Sequence, residues 1–304
     1  MLGEKLIPRL PAGEWGDEAL MWLRDNLDPL FKAFSKAMSF MVEGFSEFLV
    51  NIPALILAII LALLAIVFRS FKFGIGTFIS LLAVMAMREW EPMLQTMSLV
   101  LVATLVAVII AIPVGIWAAK SKTVSAIVRP ILDFMQTMPA FVYLIPAVMF
   151  FSIGVVPGIF STIIFAMPPG VRMTELGIRQ VNKETVEAGK SYGATNGQIL
   201  KGIQLPLAIP TIMAGVNQVI MLSLSMAVIA GMVGADGLGK QVVSAISTLD
   251  LALGIEAGLS VVILAVFLDR LTAALGTPSQ YPGSLVALLR SSGRAKSKAK
   301  PKNS

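Results

Sequence analysis

The sequence predicts an all-α, polytopic membrane protein with about seven transmembrane helices. Of its 304 residues, 56% are hydrophobic and only 14% are charged, whereas a soluble domain carries about a quarter charged residues. Most of the surface must therefore face lipid. The chain contains no cysteine and no histidine, which removes the usual thiol nucleophile, metal ligands and general base. Composition thus favours a passage or a scaffold over an enzyme, and the net charge of +6 indicates membrane topology rather than a nucleic-acid partner.

Residues 1–51 are predicted to form an external N-terminal tail with an amphipathic helix. Phenylalanine and methionine residues recur at spacings of three and four between Phe31 and Phe48, with polar residues between them, which is the period of a helix with one apolar face. Asp28 and Pro29 are expected to be its N-cap and first helical residue. We expect this helix to lie on the outer leaflet or against the bundle.

The remaining apolar segments are candidates for membrane spans. Roughly 20 helical residues cross the hydrocarbon core, and shorter helices are tolerated within bundles. Residues 52–89 are expected to hold accessory transmembrane helices, and residues 90–276 the core transmembrane domain. The predicted spans, of which the second and the fifth are short, are residues 52–68, 71–87, 93–119, 127–151, 155–168, 207–233 and 255–275.

The distribution of lysine and arginine predicts the orientation of the chain. If the long loop 170–206 is cytoplasmic, alternation of the spans puts the basic tail 277–304 on the cytoplasmic side as well. Most of the 24 basic residues then lie on that side. The N-terminus is then outside and the C-terminus inside. The tail has no acidic residue, so we expect it to be attracted to anionic lipid of the inner leaflet.

A glycine-rich segment, residues 234–241, nearly spells a nucleotide-binding P-loop. A P-loop needs a preceding strand and a hydroxyl residue after its lysine, but here a predicted span precedes the segment and Gln241 follows Lys240. The P-loop interpretation is therefore rejected. We expect a flexible, glycine-rich connection on the outer side.

The loop 182–206 has the pattern of two short helices joined by a bend. Asn182 is a helix start, Gly193 is a helix break, and Thr195 with Gln198 forms a capping box for a second helix. Pro206 is expected to close that second helix where the chain re-enters the membrane. Such a projection suits docking into a separate cytoplasmic protein, although spacing alone equally allows an ordinary amphipathic loop.

These residues resemble the EAA loop of bacterial ABC-importer permeases. The match runs from Glu187-Ala188-Gly189 through Gly193 to 203–206, and Gly189 replaces the usual second alanine. Residues 132–146, 210–218 and 268–271 are similar to the glycine betaine/proline betaine permeases, whereas residues 233–239 look equally like the choline permeases of the same quaternary-amine branch.

The resemblance implies a type I ABC-importer permease fold in a bacterial inner membrane. It also implies an assembly of two copies of the permease, two cytoplasmic ATPase subunits and an external substrate-binding protein. ATP and magnesium would then bind to the ATPase, and this chain would hold no cofactor, metal or catalytic residue. The residues that would dock on the ATPase are Glu187, Ala188, Gly189, Gly193, Ile203, Leu205 and Pro206.

A substrate path is predicted along the fourth and sixth spans. Quaternary ammonium groups bind to aromatic faces, and Phe141 and Tyr143 are the best aromatic candidates, beside Gln136. Pro139 and Pro146 are expected to distort the helix of the fourth span so that it lines a cavity. For each residue singly, packing is the simpler interpretation.

Polar residues within the spans have two interpretations. Asp133 is expected to pair with Arg129, four residues earlier on the same helical face. Asn217 is assigned either to the substrate path or to helix contacts, whereas Gln218 is interpreted as a helix–helix contact.

Other classes of function make different demands on the sequence. An ATP-independent secondary transporter or channel is the main alternative, and it predicts inverted repeats or ion-site carboxylates at the membrane midplane. A membrane-embedded enzyme predicts clustered catalytic acids or metal ligands. Neither pattern is evident in this sequence.

Overall fold

The computed structural model describes residues 10–276, which are 89% helical with no strand. The basic tail 277–304 lies outside the described residues. The α-helices, in chain order, are α1 Ala12–Val50, α2 Ala54–Phe68, α3 Phe71–Ala86, α4 Trp90–Lys120, α5 Lys122–Thr137, α6 Leu144–Phe151, α7 Val155–Arg179, α8 Lys183–Ser191, α9 Asn196–Ile199, α10 Leu205–Ala230, α11 Leu238–Thr248 and α12 Leu251–Gly276.

The helices of the membrane spans differ in length from the expectation. Four described helices are long and apolar enough to cross a membrane, or up to six if each of two bent pairs counts as one span. The short α3 corresponds to the remaining predicted span. The expected end of the fifth span at Pro168 is wrong, because α7 continues through Pro168 and Pro169 to Arg179.

The core of the bundle is formed by α4, α7 and α10, which pack closely through small residues. A Cβ added at Gly115 of α4 would lie 2.7 Å from the carbonyl oxygen of Val171, and one at Gly215 of α10 would lie 2.6 Å from Cβ of Met173. Close approach of helix backbones at small residues is the common packing mode within membranes. These contacts fix α7 between its two neighbours.

The predicted distortion of the fourth span is confirmed. α5 and α6 are bent by 106° relative to each other, and the break lies at Met138 and Pro139, both of which have extended backbone. A 3-10 turn at Ala140–Tyr143 then leads into α6. Pro146 lies in the first turn of α6, where proline interrupts no helical hydrogen bond.

The amphipathic N-terminal helix exists and is much longer than expected. The prediction that it begins at Asp28 and Pro29 is wrong, because α1 begins at Ala12 and Pro29 lies in its interior. Pro29 has no N–H to donate to the carbonyl of Asp25, and Asp25 is an exposed residue. The second half of α1 packs against the bundle, where Phe31 stacks on Phe150 at 4.5 Å between ring centroids.

The expected flexible connection after the sixth span is instead a tightly packed turn. Gly234 and Gly237 have φ of +87 and +118, a region that favours glycine. The backbone N–H of Leu238 donates a 2.8 Å hydrogen bond to Thr96 Oγ1. A Cβ at Gly239 would lie 2.6 Å from the carbonyl oxygen of Val228. The segment thus locks α11 against α10 and α4.

Candidate functional site

The predicted docking loop forms two helices joined at a glycine. Asn182 caps α8, because its side-chain oxygen accepts a 2.7 Å hydrogen bond from the backbone N–H of Glu184. After α8 ends, Gly193 has φ of +79, a left-handed conformation that favours glycine. The predicted helix start at Asn182 and the break at Gly193 are both confirmed.

The capping box of the second helix is also confirmed. Oγ1 of Thr195 accepts from the backbone N–H of Gln198, and Oε1 of Gln198 accepts from the backbone N–H of Thr195 at 2.8 Å. The prediction that Pro206 closes this helix is wrong, because a π-helical turn at Leu200–Gln204 leads directly into α10. Pro206 lies in the first turn of α10, a position that tolerates its missing N–H.

The two helices touch through apolar side chains on one side only. Ile199 is 3% exposed, and a Cβ added at Gly189 would lie 2.7 Å from Cδ1 of Ile203. Gly189 therefore brings α8 closer to Ile203 than alanine would. The predicted docking residues divide by exposure: Glu187, Ala188, Gly193 and Pro206 are exposed, and Gly189, Ile203 and Leu205 are half-buried.

A cavity separates α8 from the end of the bundle. Its volume is about 290 Å³, and its lining includes Glu187, Lys120, Arg179 and Lys190. Oε1 of Gln204 is buried nearby without a hydrogen-bond partner among the described residues. The segment contacts the bundle through Leu200 and Leu205, which pack against the apolar cluster that contains Ile178 of α7.

A buried carboxylate links the bundle to this end of α7. Glu175 is 5% exposed. It accepts hydrogen bonds from Ser125 at 2.7 Å and from Arg129 at 3.1 Å, and it forms an ion pair with Arg179 at 3.0 Å. Arg179 also donates to the carbonyl of Ala118 at the end of α4. The sequence interpretation missed this cluster, although the spacing of Glu175 and Arg179 suits an i,i+4 pair.

The expected pair between Asp133 and Arg129 is wrong. Arg129 binds to Glu175, and Asp133 of α5 instead forms an ion pair with Arg172 of α7. The side chain of Glu175 is only 7% exposed whereas that of Asp133 is 67% exposed. A buried carboxylate needs a compensating charge far more than an exposed one, so Arg129 is recruited by Glu175.

Two residues of the predicted substrate path line one cavity. Gln136 at the end of α5 and Asn217 of α10 border a space of about 390 Å³, together with Arg172, Gln218, Met173 and Met221. Gln218 is exposed and makes no side-chain hydrogen bond within residues 10–276, so the predicted helix–helix contact is not formed within this chain.

Asn217 is held in place by α12. Its Nδ2 donates a 2.8 Å hydrogen bond to Oδ1 of Asp269, and its Oδ1 accepts a 2.9 Å hydrogen bond from Thr272. Asp269 and Thr272 were not among the predicted path residues. Their contribution depends on the contact between α10 and α12, which no local sequence pattern reveals.

The two aromatic candidates lie apart from this cavity. Tyr143 is 8% exposed, its hydroxyl donates to the carbonyl of Met135, and its ring meets that of Phe165 at 6.1 Å. This is the environment of a packed, hydrogen-bonded tyrosine. Phe141 is 57% exposed. Neither residue is part of the cavity lining.

The core of the chain matches a known family. Residues 111–277 match the family of binding-protein-dependent transport system inner membrane components. The chain belongs to this family. It is therefore a multi-pass membrane permease of a binding-protein-dependent importer, which favours this function over the alternative of an ATP-independent secondary transporter or channel.

The permease is similar to characterised relatives over nearly its whole length. It is 47% identical to the glycine betaine transport system permease protein OpuAB of Bacillus subtilis, covering 91% of this chain and 99% of that protein. Identity is 45% to the glycine betaine/proline betaine permease ProW of Escherichia coli, over 90% and 78% of the two chains. It is 47% to the glycine betaine/carnitine permease GbuB of Listeria monocytogenes, over 88% and 96%.

The fold of the permease also occurs in a solved transporter. An inward-facing structure of the MetNI methionine ABC transporter contains a chain of the same fold, with a TM-score of 0.57 and 21% identity. The match covers 62% of this permease and 95% of that chain. It confirms the predicted ABC-importer permease fold.

Proposed function

We propose that this permease is the membrane-spanning subunit of an ATP-driven importer of quaternary-ammonium osmoprotectants. Its relatives are named for glycine betaine, proline betaine and carnitine, so glycine betaine or proline betaine is the expected substrate, with choline as the alternative. In this proposal an external binding protein delivers the substrate, and the permease alternates between outward-open and inward-open states.

The helix pair α8–α9 is the observation that carries the proposal. Its outer side is exposed at Glu187 and Ala188, and Tyr192 at the bend is 93% exposed. A surface that projects beyond the bundle and is rigidly capped at both helix starts suits insertion into a cleft of a partner. We assign that partner as a cytoplasmic ATPase, which binds ATP and magnesium while this chain binds neither.

A second copy of the chain is expected to cover one face of the bundle. Gln136, at the end of α5, and Gln218, in the middle of α10, are both exposed. Contact of an amide with lipid is costly. A homodimer that joins these faces would shield both side chains and enclose the cavity between them. The complete importer would then contain two permeases and two ATPase subunits.

ATP-driven closure of the ATPase pair would pull the two docking loops together. Because α9 continues into α10 without a flexible linker, movement of the loop would be transmitted directly to Asn217 and the cavity. This mechanism requires residues 182–206 to be cytoplasmic, with the N-terminus outside and the C-terminus inside.

The bend at Gly193 provides the test. No atom lies within 4 Å of a Cβ added at Gly193, so a substitution there acts through backbone strain alone. Valine strongly disfavours positive φ, which costs about 1–2 kcal/mol even for an average residue, whereas asparagine tolerates it. In proteoliposomes that contain the complete importer, Gly193→Val should uncouple ATP hydrolysis from glycine betaine uptake, and Gly193→Asn should not. Normal uptake and normal hydrolysis in Gly193→Val would refute the docking role.

A further inference from the structure

The cavity beside α10 has the size and chemistry of a small-molecule site. Its volume of about 390 Å³ falls in the range of about 300–1,000 Å³ that is typical of such sites. It combines the Arg172 guanidinium and the amides of Gln136, Asn217 and Gln218 with the thioethers of two methionines. Arg172 lies roughly 10 Å along α7 from the docking end, given the helical rise.

The polar groups of this cavity are available to a ligand. Gln136 and Gln218 have no side-chain hydrogen-bond partner among residues 10–276, and over the same range Arg172 is bound only to Asp133, through Nη2. Amide groups without a partner are costly within a membrane protein, and where they converge with an arginine they mark a candidate functional site. By contrast, both ends of the Asn217 amide are engaged by α12, which fixes the position of that wall.

The groups present select an anionic oxygen rather than a bare cation. A guanidinium is always charged, and its fork of N–H donors matches a carboxylate. Methionine side chains provide soft, apolar contacts that suit methyl groups. The residues that line the cavity include no acidic side chain that could balance a cation. Asp133 lies outside the lining and forms an ion pair with Arg172. Glycine betaine, proline betaine and carnitine carry a carboxylate besides the quaternary ammonium, whereas choline carries no anionic group.

We propose that this cavity is a low-affinity site for zwitterionic betaines, in which Arg172 binds the substrate carboxylate and so admits betaines in preference to choline. The proposal rests on the proposed function, because the external receptor must first deliver such a substrate. Gln136 and Gln218 add hydrogen bonds to the same carboxylate, and Met173 and Met221 contact the methyl groups.

Equilibrium binding to the permease–ATPase complex tests this site without the receptor. The complex is placed in nanodiscs, and radiolabelled glycine betaine is titrated with choline as the competitor. We expect saturable binding that choline does not displace at equal concentration. Arg172→Gln should weaken binding by about tenfold or more, and Arg172→Lys should retain part of it because lysine keeps the charge but not the fork.

Two further variants separate carboxylate binding from a merely structural ion pair. Asp133→Asn breaks the same ion pair but leaves the guanidinium, so it should bind glycine betaine at least as tightly as the wild type. Lys122→Gln removes an exposed basic residue of α5 that lies outside the cavity lining, and its binding should match the wild type.

Several outcomes would overturn the site. These are no saturable binding in the wild type, undiminished binding in Arg172→Gln, equal losses in Arg172→Gln and Asp133→Asn, or effective competition by choline. Receptor-dependent uptake of glycine betaine by the complete importer is measured in parallel. If uptake persists while the site fails, the proposed function stands; if ATP-driven uptake is absent altogether, the proposed function itself is wrong.

Discussion

Two buried carboxylates, one at each end of the bundle, differ in whether their charge has a partner. Glu175, beside the docking loop, is buried; it accepts hydrogen bonds from one hydroxyl and one guanidinium group and forms an ion pair with a second guanidinium. Glu89 precedes α4 at the opposite end and is 3% exposed, but its Oε2 has no partner among the described residues. Burial of an ionised carboxylate is costly unless its charge is compensated, so these two residues should respond in opposite ways to neutralisation.

Replacement of Glu175 by glutamine should destabilise the permease. The variant loses the charge that compensates Arg129 and Arg179, and we expect a loss of about 1–3 kcal/mol in the free energy of unfolding. Thermal unfolding in detergent, followed by tryptophan fluorescence, measures the change. Asp236→Asn is the matched control, because its ion pair with Lys240 is exposed on both sides and should contribute little. Equal melting temperatures for Glu175→Gln and the wild type would contradict the structural role of the cluster.

Replacement of Glu89 by glutamine should have the opposite effect, in a pH-dependent way. Burial, with a smaller contribution from the nearby Glu256 carboxylate, raises the pKa of Glu89. A raised pKa in the folded state means that the contribution to stability is present below the unfolded pKa and is lost as the pH rises through the folded pKa. Glu89→Gln should therefore raise the melting temperature at pH 7, and the gain should shrink towards about pH 4.

The neighbouring Glu91 supplies the control for this pH dependence. It is exposed in the first turn of the same helix, so Glu91→Gln should change the melting temperature little at either pH. A lower melting temperature of Glu89→Gln at pH 7 would show that the charged form of Glu89 has a stabilising partner.

Residue-level features were predictable from the sequence only where the interaction is local. The capping box at Thr195 and Gln198 spans a few residues, and the structure contains it. By contrast, Asp133 pairs with Arg172 rather than with Arg129, because the choice depends on how α5 packs against α7. The roles assigned to the docking and path residues remain predictions.

Whole helices show the same division between local and tertiary signals. The long apolar segments correctly predicted α4, α10 and α12. The extent of α7 was missed because Pro168 and Pro169 look like a helix stop, yet neighbouring helices stabilise a proline-containing helix within a membrane. The turn between α10 and α11 was predicted to be flexible, but its glycines permit close contact between backbones.

The packing of that turn can be tested at Gly239. A Cβ there would lie 2.6 Å from the carbonyl oxygen of Val228 and 2.7 Å from that of Ala227, and backbone atoms cannot move aside easily. Gly239→Ala should lower the free energy of unfolding by about 1–3 kcal/mol. Gly258→Ala on α12 has no atom within 4 Å and should be neutral or slightly stabilising. If both variants melt alike, α11 is not locked by this contact.

At the scale of the whole molecule, function depends on which ends of the helices face the cytoplasm. Arg179 of α7 contacts Ala118 near the end of α4, so the docking loop and the C-terminal ends of both helices share one side. Glu89, at the start of α4, lies on the other side together with the turn that contacts Thr96. The Arg172 cavity lies nearer the docking side, where the proposed mechanism opens it to the cytoplasm.

The orientation itself can be tested cleanly because the chain contains no cysteine. Tyr192, at the bend of the docking loop, is 93% exposed, and Trp15 near the start of α1 is 58% exposed. With a membrane-impermeant maleimide and no ATPase present, Tyr192→Cys should react only in inside-out vesicles, and Trp15→Cys only in right-side-out spheroplasts. Detergent-solubilised samples of both variants should react fully, which controls for exposure. If Tyr192→Cys reacts from the outside, an ATPase cannot reach the helix pair, and the chain needs another route for coupling transport to energy.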